Sequence, residues 1–151
     1  MKIPGGLDFN LKEIEGRWFI NMSTFPMWLK GDKINPTFNY ALRKENTLSD
    51  TVMYEKNGKQ KSIRGIDKLR NQTFTWRGNG ILKIAKSEWQ ILYFDRENRI
   101  AIIRFAKTLF TPAGYDVISR KKSLEPELEK QIRELILSMG IDELFSVIRQ
   151  D

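Results

Sequence analysis

Between Arg17 and Arg120 the sequence alternates short segments rich in Val, Ile, Thr and aromatic residues with clusters of turn-forming residues. Segments of this kind favour β-strands, and their close spacing is typical of antiparallel barrels and sandwiches. The residues at 57–58, 78–80 and 95–98 favour tight turns between strands. This part of the chain is therefore predicted to be all-β. The predicted strands are Trp18–Ser23, Thr37–Arg43, Asp50–Glu55, Ser62–Leu69, Thr73–Arg77, Leu82–Lys86, Glu88–Phe94, Arg99–Ala106 and Tyr115–Arg120.

The last fifth of the chain changes period and predicts one helix over about 124–139. Ser123 is a candidate N-cap, and Pro126 suits the first helical turn. Apolar residues then recur on one helical face, and Gly140 stands where helices commonly end. The apolar positions are Leu128, Ile132, Leu135, Ile136 and Met139. Two shorter elements are predicted as well, a strand over 144–148 and a helical turn over 10–14.

Length and composition fit one domain spanning residues 1–151. The chain has 40% hydrophobic and 30% charged residues, which is globular rather than disordered composition. It contains neither Cys nor His. Their absence excludes disulfides, thiol nucleophiles, a Ser-His-Asp triad and metal sites built on thiolate or imidazole. Any catalysis would have to rest on carboxylates, Lys, Tyr or Arg, and we expect neither a metal nor another cofactor.

The formal net charge is +7, from 26 Lys and Arg residues against 19 Asp and Glu residues. An excess of this sign favours anionic partners in general. The basic residues are scattered and form no block, so we do not expect nucleic acid as a partner. The N-terminal segment has no apolar stretch typical of a signal peptide. We therefore expect a cytoplasmic protein, unless a leader was removed.

Three local motifs occur in order along the predicted strands. Gly16-Arg17-Trp18 opens the first strand, Phe94-Asp95-Arg96 lies between the sixth and seventh, and Ser119-Arg120 ends the last. With these motifs the chain resembles the lipocalin family. Residues 35–42 are similar to the second strand of that family. The tail from Ser123 to Asp142 is most similar to bacterial and apolipoprotein-D-type lipocalins.

The resemblance implies an eight-stranded antiparallel up-and-down β-barrel of the calycin type over about 16–120, with the C-terminal helix packed outside it. It also implies structural roles for the motif residues Gly16, Trp18, Asp95 and Arg120. Trp18 is expected to close the narrow end of the barrel. The Arg120 guanidinium is expected to lie across the Trp18 indole and to bond to nearby main-chain carbonyls.

The family pattern, with the alternation of side chains along strands, predicts which residues face the barrel interior. Residues 24–33 correspond to the large loop that covers the open end in lipocalins, and its apolar residues are predicted to form a lid. The predicted ligand contacts are Phe25, Met27, Trp28, Leu29, Phe38, Tyr40, Val52, Tyr54, Ile63, Trp76, Trp89, Ile91, Tyr93, Ile102, Arg104 and Asp116. The other residues predicted to face inward are Trp18, Ile20, Met22, Leu42, Gly65, Asp67, Leu69, Phe74, Ile100 and Ile118.

Three charged residues fall among these inward positions, Asp67, Arg104 and Asp116. An isolated charge in an apolar barrel would cost several kcal/mol, so we expect the three to pair or to reach solvent. If Arg104 pairs with Asp116 alone, the ligand can be neutral. If the Arg104 guanidinium faces the cavity, it suits a carboxylate or phosphate head group. We favour the second arrangement, because the net charge would also attract anionic lipids.

The functional hypothesis that follows is non-catalytic binding or transport of a small hydrophobic or amphipathic molecule, such as a fatty acid, lysophospholipid or isoprenoid. One alternative is a filled core with no ligand. Another is a small lipid isomerase or cyclase, whose acid and base would be Asp67, Asp116 or a Tyr, aided by Arg104. A third is a protein that meets an anionic membrane surface through its basic charge and the apolar loop at 24–33.

Overall fold

The structure is a computed structural model and describes residues 8–79, 86–109 and 111–151. Three short or medium helices and nine strands are formed within these ranges. None of the helices there is long and apolar enough to cross a membrane. The elements in chain order are α1 Leu11–Ile14, β1 Gly16–Ser23, α2 Pro26–Leu29, β2 Ile34–Leu42, β3 Thr47–Lys56, β4 Lys59–Arg70, β5 Thr73–Gly78, β6 Lys86–Asp95, β7 Ile100–Phe105, β8 Gly114–Ser119, α3 Pro126–Ser138 and β9 Ser146–Val147.

Strands β1 to β8 form a closed antiparallel barrel in which each strand pairs with its neighbours in sequence. Pairing of β1 with both β2 and β8 closes the barrel, so that Trp18 stands opposite Phe38 and Ile20 opposite Ile118. The short strand β9 pairs with the C-terminal end of β1, at Met22 and Ser23, and so adds a ninth strand to the sheet. The predicted eight-stranded up-and-down barrel is confirmed, as is the additional strand near the C-terminus.

The predicted strands agree with the observed ones apart from their ends. Strand β2 begins at Ile34 and β3 at Thr47, each three residues before the predicted start. The predicted strand over Leu82–Lys86 falls outside the described residues except for Lys86, which begins β6. Between β3 and β4 the turn at Asn57-Gly58 has positive φ at both residues, as such two-residue hairpins require.

Helix α3 lies within the predicted 124–139 range, but its start differs from the prediction. The N-cap is Glu125 rather than Ser123, because Pro126 occupies the first helical position and the chain before it is extended. At the other end Gly140 has a φ of +80°. The N–H groups of Gly140 and Ile141 donate to the carbonyls of Leu137 and Ile136, at 3.0 and 3.3 Å. These bonds form a Schellman motif, which ends the helix.

The narrow end of the barrel is closed by Trp18 and Arg120, as the resemblance implied. The Arg120 guanidinium lies 3.9 Å from the centre of the Trp18 ring system. It donates to the main-chain carbonyls of Arg17, Glu13 and Glu15 at 2.7, 3.0 and 2.6 Å. The Trp18 indole N–H donates to the carbonyl of Ile14 at 2.7 Å. Arg120 thus joins the last barrel strand to the segment that precedes the first one.

Helix α1 caps the same end. Asn10 and Glu13 form a reciprocal capping box at its start. Arg96, in the turn between β6 and β7, pairs with Glu13 and donates to the carbonyl of Asp8 at 3.0 Å. Asp95 shapes that turn by accepting bonds from the main chain and side chain of Asn98, at 3.0 and 2.8 Å. Asp95 therefore has a structural role at the closed end.

The barrel wall separates two apolar cores. The inner core fills the barrel, and the outer core lies between the wall and α3. Four residues predicted to face inward belong instead to the outer core: Met22, Tyr93, Ile100 and Ile102. Bulges between Ile20 and Met22, and between Ile91 and Tyr93, explain the first two. Each bulge adds a residue to one strand and so reverses which side chains point inward beyond it.

In strand β7 the inward-facing and outward-facing side chains are exchanged relative to the prediction. Ile103 lies opposite the inward-facing Asp116, whereas Arg104 lies opposite Tyr115 on the outer face and is exposed. Ala101, Ile103 and Phe105 pack in or against the inner core in place of the predicted residues. Apart from Arg104, the residues of β7 are apolar on both faces, so hydrophobicity does not decide which face points inward. The cost of burying an unpaired guanidinium decides it, because Arg104 then has to face outward.

Candidate functional site

A cavity of about 510 Å³ occupies the half of the barrel remote from Trp18 and Arg120. Most of its wall is aromatic or aliphatic, with a few polar groups, which is the usual composition of a small-molecule pocket of this size. Its wall is formed by Phe25, Met27, Trp28, Phe38, Asp50, Val52, Ile63, Trp76, Lys86, Ser87, Trp89, Phe105, Thr108, Leu109, Thr111 and Asp116.

The loop between β1 and β2 covers part of this cavity. Helix α2 turns Phe25, Met27 and Trp28 toward the interior, while Leu29 points away and is 42% exposed. The Phe25 ring packs edge-on against Phe105, with 5.4 Å between ring centres. It also lies so close to Gly114 that a Cβ atom there would come within 2.6 Å of the ring. The loop is thereby held against β8 as well as β7.

Trp28 anchors the other side of this loop. Its ring meets Tyr54 edge-on, with 5.7 Å between ring centres, and it is buried. Tyr54 packs against the inner core through this contact but does not line the cavity itself. The structure thus places three of the four predicted lid residues on the cavity, with Leu29 as the exception.

Below the cavity the barrel is filled by stacked aromatic rings. Phe74 and Trp89 stack with 4.0 Å between their ring centres, and Tyr40 stacks on Trp89 at 5.7 Å. Phe38 in turn stacks on Tyr40 at 6.0 Å. Tyr40 and Ile91, both predicted ligand contacts, lie within this packed half rather than on the cavity wall. The filled-core alternative therefore describes the closed half of the barrel only.

Gly65 makes room for one wall of the cavity. A Cβ atom at this position would lie 2.2 Å from the indole nitrogen of Trp76 and 2.6 Å from the carbonyl of Arg77. The Trp76 ring therefore lies against β4 at a point where any other residue would collide with it. Asp50 is the strand partner of Gly65 on β3, so the Trp76 ring and a carboxyl group both lie beside this glycine.

Asp50 and Asp67 form a buried acidic pair on the adjacent strands β3 and β4. Both are almost fully buried, and the Trp89 indole donates to Asp67 Oδ1 at 3.1 Å. Burial raises the pKa of Asp50 to about 6. Burial and the neighbouring charge of Asp50 raise the pKa of Asp67 well above its ordinary value, and the two carboxyl groups hydrogen-bond to each other.

Asp116 is a third buried carboxyl group, on β8, and it lines the cavity. Ser23, its strand partner on β1, donates a hydrogen bond to it and accepts one from the N–H of Phe25 at 3.0 Å. Burial raises the pKa of Asp116 to about 7, against the opposing effect of the Ser23 bond. Its Oδ1 atom is buried and has no hydrogen-bond partner in the part of the chain that the structure describes.

The predicted role of Arg104 as an anchor for an anionic head group is wrong. Its side chain lies on the outer surface, so it neither pairs with Asp116 nor faces the ligand. Within the described ranges, the buried charged residues are all aspartates. The basic residue that lines the cavity there is Lys86, which is half exposed and lies 3.8 Å from Glu88 at the cavity edge. The enzyme alternative also loses the cation that was to assist its acid and base.

The predicted site is therefore partly assembled. Nine predicted contacts line the cavity: Phe25, Met27, Trp28, Phe38, Val52, Ile63, Trp76, Trp89 and Asp116. Tyr93 and Ile102 face the outer core instead. Asp50 was not among the predicted contacts, although alternation from Val52 and Tyr54 along β3 points it inward. Phe105, whose inward position follows once Arg104 faces outward, was not predicted either, nor were the residues at the cavity edge in the β7–β8 connection.

Comparison with solved structures identifies this architecture. The siderocalin Ex-FABP, which functions through dual ligand specificities, superposes with a TM-score of 0.71 over 92% of this chain and 95% of its own, at 16% identity. Apocrustacyanin C2 superposes with a TM-score of 0.73 over 99% of this chain and 91% of its own, at 12% identity. Both are lipocalins. The fold of this chain is a lipocalin fold.

At these identities the likeness establishes the lipocalin fold alone. No protein-family model matches the sequence, and no curated protein matches it significantly. The resemblance of the tail to bacterial and apolipoprotein-D-type lipocalins stays a prediction.

Proposed function

We propose that this protein binds a small hydrophobic or amphipathic molecule inside its barrel and carries it without chemical change. The observation that carries the proposal is the cavity of about 510 Å³, which is walled mainly by apolar side chains. Protein interiors are normally close-packed, as the closed half of this barrel is, so an unfilled space of this size in the other half indicates room for a ligand. The lipocalin fold, shared with a siderocalin that has two ligand specificities, supports the same conclusion.

The covering loop supplies the first test. Replacing Met27 and Trp28 together by Ala removes two side chains from the cavity wall. We expect the affinity for decanol to fall by about tenfold, because a buried aromatic contact with a ligand contributes about 1–2 kcal/mol. Isothermal titration calorimetry measures the change, and far-UV circular dichroism verifies that the barrel stays folded.

Leu29→Ala is the matched control, since Leu29 lies on the same helix but points away from the cavity. This variant should bind decanol like the unmodified protein. Unchanged affinity in the Met27→Ala, Trp28→Ala double variant would show that the loop plays no part in binding. Native mass spectrometry of protein purified from its own cells would identify a retained molecule directly.

Two alternatives are weakened by the placement of particular residues. The membrane interpretation relied on an exposed apolar loop, but Phe25 and Trp28 are buried and turned inward. The enzyme interpretation used Arg104 to assist its acid and base, and Arg104 lies on the outer surface of the barrel. If the protein is a carrier, a lipid that it binds should be recovered unchanged after incubation. Conversion of a lipid that is abolished by Asp116→Asn would favour the enzyme instead.

A further inference from the structure

The buried charged groups of the cavity have one sign. Asp50 and Asp116 line it directly, and Asp67 lies behind Asp50 on the next strand. Burial raises the pKa of Tyr40 well above its ordinary value, and the charges of all three aspartates act on its phenol in the same direction. The carboxyl groups are therefore gathered around one region, at the junction between the cavity and the packed half of the barrel.

This acidic region has unused acceptor capacity. Among the described residues, Asp116 Oδ1, Asp50 Oδ1 and Asp67 Oδ2 are buried without a hydrogen-bond partner. Asp116 is only 1% exposed, so bulk water does not satisfy it. A buried carboxyl oxygen left without a donor is unfavourable, and a ligand that supplies the donor would offset that cost.

A cation that could balance these charges is not supplied by the described part of the chain. Lys86 stands at the cavity edge beside Glu88, and Tyr40 is the other titratable group that faces the three aspartates there. A metal ion does not fit either, because the described residues form no group of three acidic side chains close enough to bind one. The missing positive charge is thus expected on an organic ligand.

We propose that the cavity selects amphipathic ligands whose polar end is a protonated amine, held between the carboxyl groups of Asp116 and Asp50. The ammonium group pairs with these two carboxyl groups, which line the cavity, and the apolar part of the ligand lies against Met27, Val52 and Trp76 toward the open end. This inference rests on the proposed function, since it assigns the chemistry of the ligand for the same cavity. It replaces the anionic head group expected from the sequence.

Decylamine, decanol and decanoic acid test this choice, because they share one apolar chain and differ at the polar end. At about pH 8 we expect decylamine to bind at least about tenfold tighter than decanol, and decanoic acid to bind weakest. The surface works against this order, because a net charge of +7 attracts the acid and repels the amine. A preference for the amine therefore has to arise inside the barrel.

The pH dependence is a second measurement on the unmodified protein. Asp50 and Asp116 are protonated at about pH 5 and ionised at about pH 8, because burial raises their pKa values to about 6 and about 7. The preference for amine over alcohol should therefore grow by about tenfold across this range. A preference that stays constant with pH would contradict the assignment of these carboxylates.

Asp116→Asn and Asp50→Asn remove one charge each while keeping the shape of the side chain. Each should reduce the preference for decylamine over decanol by about tenfold, with decanol binding retained. Asp142→Asn is the matched control, because it removes the same charge from the exposed surface. If one variant fails to fold, the other variant and the pH series still decide the question.

The outcomes separate the two proposals. Binding of decanol without any preference for decylamine would overturn the amine inference and leave carriage of apolar ligands intact. Retention of the full preference in both Asp variants would also overturn it. Failure of all three compounds to bind would contradict the proposed function itself.

Discussion

A single guanidinium group holds the closed end of the barrel together. Arg120 bonds three main-chain carbonyls and covers the indole of Trp18. Arg120→Ala would leave those carbonyls without this donor and would remove the stacking contact. We expect it to lower the free energy of unfolding by roughly 1–3 kcal/mol, measured by urea denaturation.

Two further variants give this residue-scale prediction its controls. Arg120→Lys keeps the charge but not the planar fork, so it should be nearly as unstable as the alanine variant. Arg104→Ala removes an exposed arginine from the outer face of β7 and should change stability by less than about 0.5 kcal/mol. Equal effects of Arg120→Ala and Arg104→Ala would show that the contacts of Arg120 contribute nothing specific.

At the scale of elements, helix α3 stabilises the barrel from outside without forming any part of the cavity. Ile136 is 3% exposed in the outer core, whereas its neighbour Leu137 is 69% exposed. Ile136→Ala should therefore lower the free energy of unfolding by about 2–4 kcal/mol, and Leu137→Ala by less than about 0.5 kcal/mol, in urea denaturation. Both variants should bind decanol normally. Loss of binding in Ile136→Ala would mean that the two cores are coupled.

The elements also show what the sequence could predict. Turn residues and apolar segments located the barrel strands, and the stripe ending at Met139 located α3, because both signals are local. The bulges beside Ile20 and Ile91 were invisible, since a bulge adds one residue with no distinctive side chain of its own. Alternation carried past a bulge then assigned Met22 and Tyr93 to the wrong face.

For the candidate site, the sequence predicted most of the apolar wall correctly but not the charged residues that face the cavity. Val52, Trp76 and Trp89 follow from alternation along uninterrupted strands. The orientation of β7 could not follow from hydrophobicity, because Ile100 to Ile103 is apolar on both faces. The cost of burying Arg104 without a partner was the better guide to that strand.

At the scale of the whole molecule, the buried aspartates should make stability depend on pH. Burial raises the pKa of Asp116 to about 7 in the folded protein, from an ordinary value of 3.8. The folded state therefore holds the Asp116 proton more tightly than the unfolded state between these values, so stability falls as the pH rises through this range. From Asp116 alone, the free energy of unfolding should drop by roughly 2–3 kcal/mol between about pH 5 and about pH 8.

Urea denaturation at the two pH values measures this change. Asp116→Asn should flatten the dependence, because the amide does not titrate, and exposed Asp142→Asn should leave it as it is in the unmodified protein. Asp50, with its pKa raised to about 6, adds to the same trend. A protein that is equally stable at both pH values would contradict the burial of ionisable carboxyl groups in the barrel.

The placement of charge on the two sides of the barrel wall also has a kinetic consequence. The net charge of +7 already includes the buried aspartates, so the outer surface is more positive than the net value. A cationic ligand therefore meets repulsion during diffusional encounter and attraction only after it has entered. Its affinity would come from a long residence time rather than from fast capture. Such a carrier would release its cargo slowly on dilution and would equilibrate with its surroundings faster as salt screens the outer charge.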